Sequence, residues 1–225
     1  MTRAELAKRI DHTLLRPTST CADIERLCEE ALQYHFASVC IQPCWLKIAV
    51  RHLQGSDVAV GTVVGFPLGA NMSAVKLYEA EQALAAGATE LDMVIALPAL
   101  KSGDWRTVRH EIEQIVALCH SATPAAVLKV IIECCYLTQE EKIQATRAVA
   151  EGGADFVKTS TGFGEGGATI DDVSLLRSAA PPPLKVKAAG GIRTLSLALE
   201  LLQAGADRIG TSSGVTLLQQ LEEGT

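Results

Sequence analysis

The chain has 225 residues, 48% of them apolar and 20% charged, a size and mix that suit one folded domain with a sizeable core and exclude a disordered polymer. Its formal net charge of −6 excludes a general affinity for nucleic acid or anionic membrane, because both call for a basic surface. No apolar run approaches the roughly 18 residues that span a bilayer, and the segment from Met1 to Arg9 lacks the apolar core of a signal peptide, so a cytoplasmic location is expected.

In chain order, residues 3–10 are amphipathic and predict a helix ahead of a short, polar first strand at residues 11–15. Strands are predicted at 38–41 and 59–64, and another at 90–95 follows the alanine-rich stretch that stops at Gly87. The run at 127–133 is a fifth strand, and the helical stretch 148–154, broken at Gly152 and Gly153, feeds a sixth at 155–158. Pro181, Pro182 and Pro183 form a stiff connector into a seventh strand at 184–188, since proline cannot continue the preceding helix. A third alanine-and-glycine unit, 201–206, precedes an eighth strand at 207–210. Eight strands alternating with helix-length segments predict an α/β fold, a (β/α)8 TIM barrel with an extra N-terminal helix. Residues 1–225 are expected to form a single domain without linkers, with a doubly wound open sheet as the alternative. The seven cysteines are irregularly spaced, with Cys134 and Cys135 adjacent, so reduced thiols are expected rather than a disulfide framework or a paired zinc site.

Four charged residues interrupt otherwise apolar strands: Asp92, Lys129, Lys158 and Lys187. Charges are seldom buried unless paired, so several converging on one interior predict a site, with a merely structural ion-pair network as the alternative. The period-2 rule puts Lys158 on the face of Phe156, opposite Val157 and Thr159. Lys158 and Lys187 fall on neighbouring strands about 5 Å apart. Like charge and desolvation then favour a neutral amine near pH 7, the form that attacks a carbonyl. Lys185 shares the parity of Lys187, but Lys187 lies nearer the strand's C-terminal end, where barrel active sites sit.

Two glycine-containing strand ends, Gly190-Gly191-Ile192-Arg193-Thr194 and Gly210-Thr211-Ser212-Ser213-Gly214, fall after the seventh and eighth strands. Barrels commonly hold phosphate there on backbone N–H groups and a helix N-terminus. The glycine- and hydroxyl-rich loop 159–169 is placed to close over a substrate.

These residues carry a resemblance. From Ile10-Asp11-His12-Thr13-Leu14-Leu15 to Gly210-Thr211-Ser212-Ser213-Gly214, nearly the whole chain resembles the deoxyribose-phosphate aldolases. The most specific segments are Glu90-Leu91-Asp92-Met93-Val94, Leu128-Lys129-Val130-Ile131-Ile132-Glu133, Val157-Lys158-Thr159-Ser160-Thr161-Gly162-Phe163 and Lys187-Ala188-Ala189-Gly190-Gly191-Ile192-Arg193-Thr194. The resemblance implies that Lys158 forms a Schiff base, Lys187 perturbs its pKa, and Asp92 shuttles protons with a water. It implies reversible cleavage of 2-deoxy-D-ribose 5-phosphate to D-glyceraldehyde 3-phosphate and acetaldehyde, without metal or organic cofactor. By the same matching, Asp11 and Thr13 lie near the sugar hydroxyls and Lys129 near the catalytic pair. Gly162, Gly190, Gly191, Ser212 and Ser213 surround the phosphate, and Thr161 and Gly210 complete the substrate-binding set.

Three departures bear on phosphate affinity and substrate range rather than on the lysine chemistry. Ile41-Gln42-Pro43 stands where Val-Asn-Pro is commoner, Cys134 follows Glu133 where threonine is usual, and the terminal tyrosine of some members is missing after Gly224-Thr225. The alternatives to this activity are a Schiff-base aldolase for another phosphorylated sugar or keto acid, and a non-catalytic barrel that binds phosphosugars. The partner expected is a small phosphorylated sugar, with a homodimer or higher homo-oligomer as a further expectation and no helical face singled out.

Overall fold

The computed structural model describes residues 1–223. Each element forms for a local reason. Thr2 caps helix α1 (Arg3–Ala7) in a capping box with Glu5, and Thr20 and Asp23 do the same for α2 (Cys21–Tyr34). Between them runs strand β1 (Ile10–Leu14), and β2 (Ser38–Ile41) follows α2. Helix α3 (Leu46–Leu53) leads to β3 (Ala59–Val64), and α4 (Ser73–Ala85) to β4 (Glu90–Val94). The short α5 (Leu97–Lys101) and long α6 (Trp105–Ser121) precede β5 (Val127–Ile131). Helix α7 (Gln139–Glu151) then leads to β6 (Phe156–Lys158), α8 (Ile170–Ala179) to β7 (Lys185–Ala189), and α9 (Leu195–Gln203) to β8 (Arg208–Thr211), with α10 (Gly214–Glu223) after it.

The predicted glycine stops are present. Gly87, Gly153 and Gly205 take left-handed φ values of 98°, 79° and 112° just beyond α4, α7 and α9. At the end of α2 the same turn is made by His35 at φ 54°, with its Nδ1 3.1 Å from Asp57 Oδ1.

All eight strands are parallel, and β8 pairs with β1, so the sheet closes into a barrel and the open-sheet alternative is set aside. The extra N-terminal helix is α1, three residues shorter than the predicted 3–10 because β1 begins at Ile10. It buries Leu6 and Ala7 and packs against α10 on the side where the strands begin. Apolar side chains pointing outward from the strands, such as Leu91, Met93, Leu128, Val130, Val157 and Val186, meet the inner faces of the helices and are fully buried. The inward-facing positions hold the charges. All seven cysteines are free thiols, and among the described residues no helix is long and apolar enough to cross a membrane. The terminal-tyrosine position lies outside the described residues.

Candidate active site

Strand register builds the site. It sets Asp92 beside Lys129, Lys158 beside Lys187, and Lys187 beside Arg208, all pointing into the barrel. Glu90 shares the inward parity of Asp92 on β4, and Asp11 enters from β1. The result is a buried cluster of three carboxylates and four cations. The pair sequence reasoning did not assign, Glu90 and Arg208, was legible in principle: each lies two residues or one strand pairing from a charge that was assigned.

The cations differ in what they touch. Lys129 Nζ lies 2.5 Å from Glu90 Oε2, 3.1 Å from Asp92 Oδ1 and 3.1 Å from Asp11 Oδ2. Lys187 donates to Asp11 Oδ2 and, at 2.7 Å, to Asp92 Oδ2. Arg208 Nη1 donates to Asp11 Oδ1 at 2.6 Å. Lys158 donates to one carboxylate oxygen, the same Asp92 Oδ2, at 2.7 Å.

That ranking sets protonation. Burial opposes charge on every lysine, but the carboxylates overcome it at Lys129 and Lys187, whose pKa values rise above the ordinary lysine value. At Lys158, burial outweighs Asp92, the Lys187 ammonium adds repulsion, and the pKa falls. Asp11 and Asp92 are held below the usual carboxylate range, because Lys129, joined at each by further cations, more than offsets their burial. Three carboxylates are balanced by Lys129, Lys187 and Arg208, which leaves Lys158 as the cation whose proton the cluster can release. Beside them Cys40 Sγ lies 4.0 Å from Asp92 Oδ2, its thiol pushed up to about 11 by burial and the nearby carboxylate.

Above the cluster, at the C-terminal ends of the strands, opens a cleft of about 650 Å³. Lys158 is on its wall, together with Thr13, Thr161, Gly162, Gly190, Gly191, Gly210 and Ser212. Asp92 and Lys187, both fully buried, lie directly behind Lys158.

Two of the residues expected in the substrate-binding set do not line the cleft. Asp11 and Lys129 are fully buried below the cleft, their polar atoms saturated by one another and by Lys187, Arg208, Glu90 and Asp92. A charge in a barrel interior is drawn to the opposite charge nearest it, which here lies inside the cluster rather than at the mouth. Ser213, next in the chain to Ser212, does not line the cleft, and its N–H is donated to Thr211 Oγ1 at 2.9 Å. Gly210 lines the cleft and also makes room, since a Cβ there would sit 3.1 Å from Lys187 Cε and 3.0 Å from Ala189 Cβ.

The glycine ends form a cradle. Gly190 and Gly191 have φ values of 90° and 77°, which other residues adopt at a cost, and Gly162 faces Gly190 with φ 83°. Among the described residues the N–H groups of Gly162, Gly190 and Gly191 find no protein acceptor, so they remain available to an anion. Phe163, half exposed, meets Phe66 edge-on across the mouth at 5.2 Å.

A closed barrel with a releasable lysine amine at its C-terminal mouth, and free amide donors beside it, has the make-up of a carbon–carbon lyase that works through an amine. Comparison with known proteins agrees. Residues 6–220 match the model of the DeoC/LacD family aldolases, and the chain belongs to that family. The deoxyribose-phosphate aldolase of Carboxydothermus hydrogenoformans is 51% identical over 220 residues, covering 98% of this chain and 96% of the relative. That of Thermococcus gammatolerans is 53% identical over 221 residues, covering 97% of each. Among solved structures, the tetrameric deoxyribose-phosphate aldolase of Aeropyrum pernix superposes with a TM-score of 0.92 at 38% identity, over 100% of this chain and 94% of that one.

Proposed function

We propose that this chain, acting as one barrel domain, reversibly cleaves 2-deoxy-D-ribose 5-phosphate to D-glyceraldehyde 3-phosphate and acetaldehyde through a Schiff base on Lys158. The observation that carries the reading is the shared Asp92 Oδ2, 2.7 Å from both Lys158 Nζ and Lys187 Nζ. Neutral Lys158 adds to the aldehyde carbon of the open-chain sugar, and loss of water leaves an iminium. The iminium accepts the electron pair of the C2–C3 bond as the C3 hydroxyl gives up its proton, releasing D-glyceraldehyde 3-phosphate and leaving an enamine. Protonation of the enamine carbon and hydrolysis return acetaldehyde and the free amine. Asp92, within reach of both lysine nitrogens, relays protons with a water, while Lys187 stays charged and holds the Lys158 pKa down. Gly162, Gly190, Gly191 and Ser212 receive the phosphate, with Ser213 next in the chain, and Thr13 lies near the sugar hydroxyls.

The free thiols suit the reducing cytoplasm, where we place the reaction. The tetrameric relative supports a homo-oligomer.

Borohydride trapping with deoxyribose 5-phosphate, followed by mass mapping, tests the proposal: the adduct is expected on Lys158, and Lys158→Ala is expected to lose activity. No adduct on any lysine of the folded protein, or full activity without Lys158, would overturn it. Trapping with fructose phosphates but not with deoxyribose 5-phosphate would leave the amine chemistry and replace the substrate.

A further inference from the structure

The carboxylate of Glu133 lies 1% exposed at the end of β5, and among the described residues no cation pairs with it. Its backbone is left-handed, φ 53° and ψ 70°, a conformation other L residues seldom adopt. The turn is held by Cys134 N–H, which donates to Thr159 O at 2.8 Å, and by Tyr136 N–H, which donates to Glu133 O at 3.1 Å. It aims the side chain at the loop after β6. There Thr161 donates its hydroxyl to Oε2 and its N–H to both carboxylate oxygens at 3.3 Å.

Next along, Phe163 N–H donates to Thr161 Oγ1 at 3.0 Å. Gly164 lets the loop pass over the carboxylate, for a Cβ there would lie 3.2 Å from Glu133 Cδ. A carboxylate accepts at both oxygens and donates at neither, so the proton of Thr161 has one direction and its lone pair is left for Phe163. The residue between them, Gly162, keeps a free N–H on the cleft wall, opposite Gly190.

We infer that Glu133 is a positioning residue for the anion cradle: it locks the Thr161–Phe163 turn so that Gly162 N–H meets the phosphate together with Gly190 and Gly191. The Thr161 hydroxyl is spent on this task and does not donate to substrate. The inference rests on the phosphosugar reading given above, extending it to a residue that touches no ligand. Such a lock favours phosphorylated over unphosphorylated substrate and leaves the tuning of Lys158, set by a separate cluster, where it is.

The test measures inorganic phosphate affinity by calorimetry, and kcat and KM for deoxyribose 5-phosphate and for free deoxyribose, in the full-length wild type, Glu133→Gln, Thr161→Val and Thr161→Ser. Glu133→Gln and Thr161→Val are each expected to weaken phosphate binding about ten-fold, the scale of one charge-assisted hydrogen bond. The preference for the phosphorylated sugar in kcat/KM should fall by a similar factor, chiefly through KM, with the pH profile unmoved. Thr161→Ser, which keeps the hydroxyl, should restore wild-type values. Phosphate affinity within about two-fold of wild type in folded Glu133→Gln, or equal losses on both sugars, would overturn the inference. If Glu133→Gln does not fold, the Thr161→Val and Thr161→Ser pair decides alone. The phosphate arm separates the two readings: a protein that fails the borohydride trap but shows the affinity series loses its proposed substrate and keeps the lock, and the converse result does the opposite.

Discussion

Lys158 differs from the lysines around it by the number of carboxylates it meets. Lys129 touches three and Lys187 two, while Lys158 shares one oxygen of Asp92 with Lys187. The chemistry therefore sits on the least compensated amine. Lys187 keeps its charge and repels a proton on Lys158, so Lys187→Leu removes that repulsion and leaves Asp92 more strongly bound to Lys158. Both changes raise the Lys158 pKa. The acid limb of the kcat/KM profile should then move to higher pH, and an unmoved limb in the folded variant would take the tuning role away from Lys187. At this scale the sequence was informative wherever parity could speak: Asp92, Lys158 and Lys187 point inward as their positions on the strands require. Parity could not say that Asp11 and Lys129 would be consumed by the cluster, because that depends on charges arriving from β4, β7 and β8.

Among the elements, α4 and α6 carry a second buried pair outside the barrel. Lys76, fully buried on α4, donates to Glu111 Oε1 on α6 at 2.7 Å and to Val94 O at the end of β4 at 2.9 Å. Ser73 supplies a further donor to Glu111, Oγ to Oε2 at 2.7 Å. The pair ties two outer helices to the strand that bears Asp92. Breaking one half strands a buried charge, so Lys76→Met should cost about 3–5 kcal/mol in urea unfolding, and adding Glu111→Leu should recover most of it. A double variant as unstable as the single would show that the cost lies in packing and not in the unpaired carboxylate. Neither residue stands out in the sequence, since a lysine or glutamate in an amphipathic helix reads as part of its solvated face until the neighbouring helix is in place.

For the whole molecule, acid is the sensitive direction. The folded-state pKa values of Asp11 and Asp92 lie below the ordinary value of 3.8, so each contributes stability that is complete above that pH and is lost as pH falls through the folded values. The thermal midpoint should thus hold on descending from neutrality to about pH 4 and drop below it. A midpoint that declines steadily from pH 7 would mean that other groups govern acid unfolding. The fold that gathers these charges was largely legible in advance. Alanine-rich helices, glycine stops and β-branched runs are local properties, set by backbone freedom and by which face must leave water, and they sufficed for eight parallel strands in order. Closure of β8 onto β1 was only expected, because ring closure is a long-range pairing that no local signal carries. The sequence alone determined the strand order, the inward lysines and the glycine-rich mouth. Only the tertiary structure decided which lysine could give up its proton, which charges lay below the cleft, and how Glu133 reached the loop beyond β6, because each depends on distances between residues far apart in the chain.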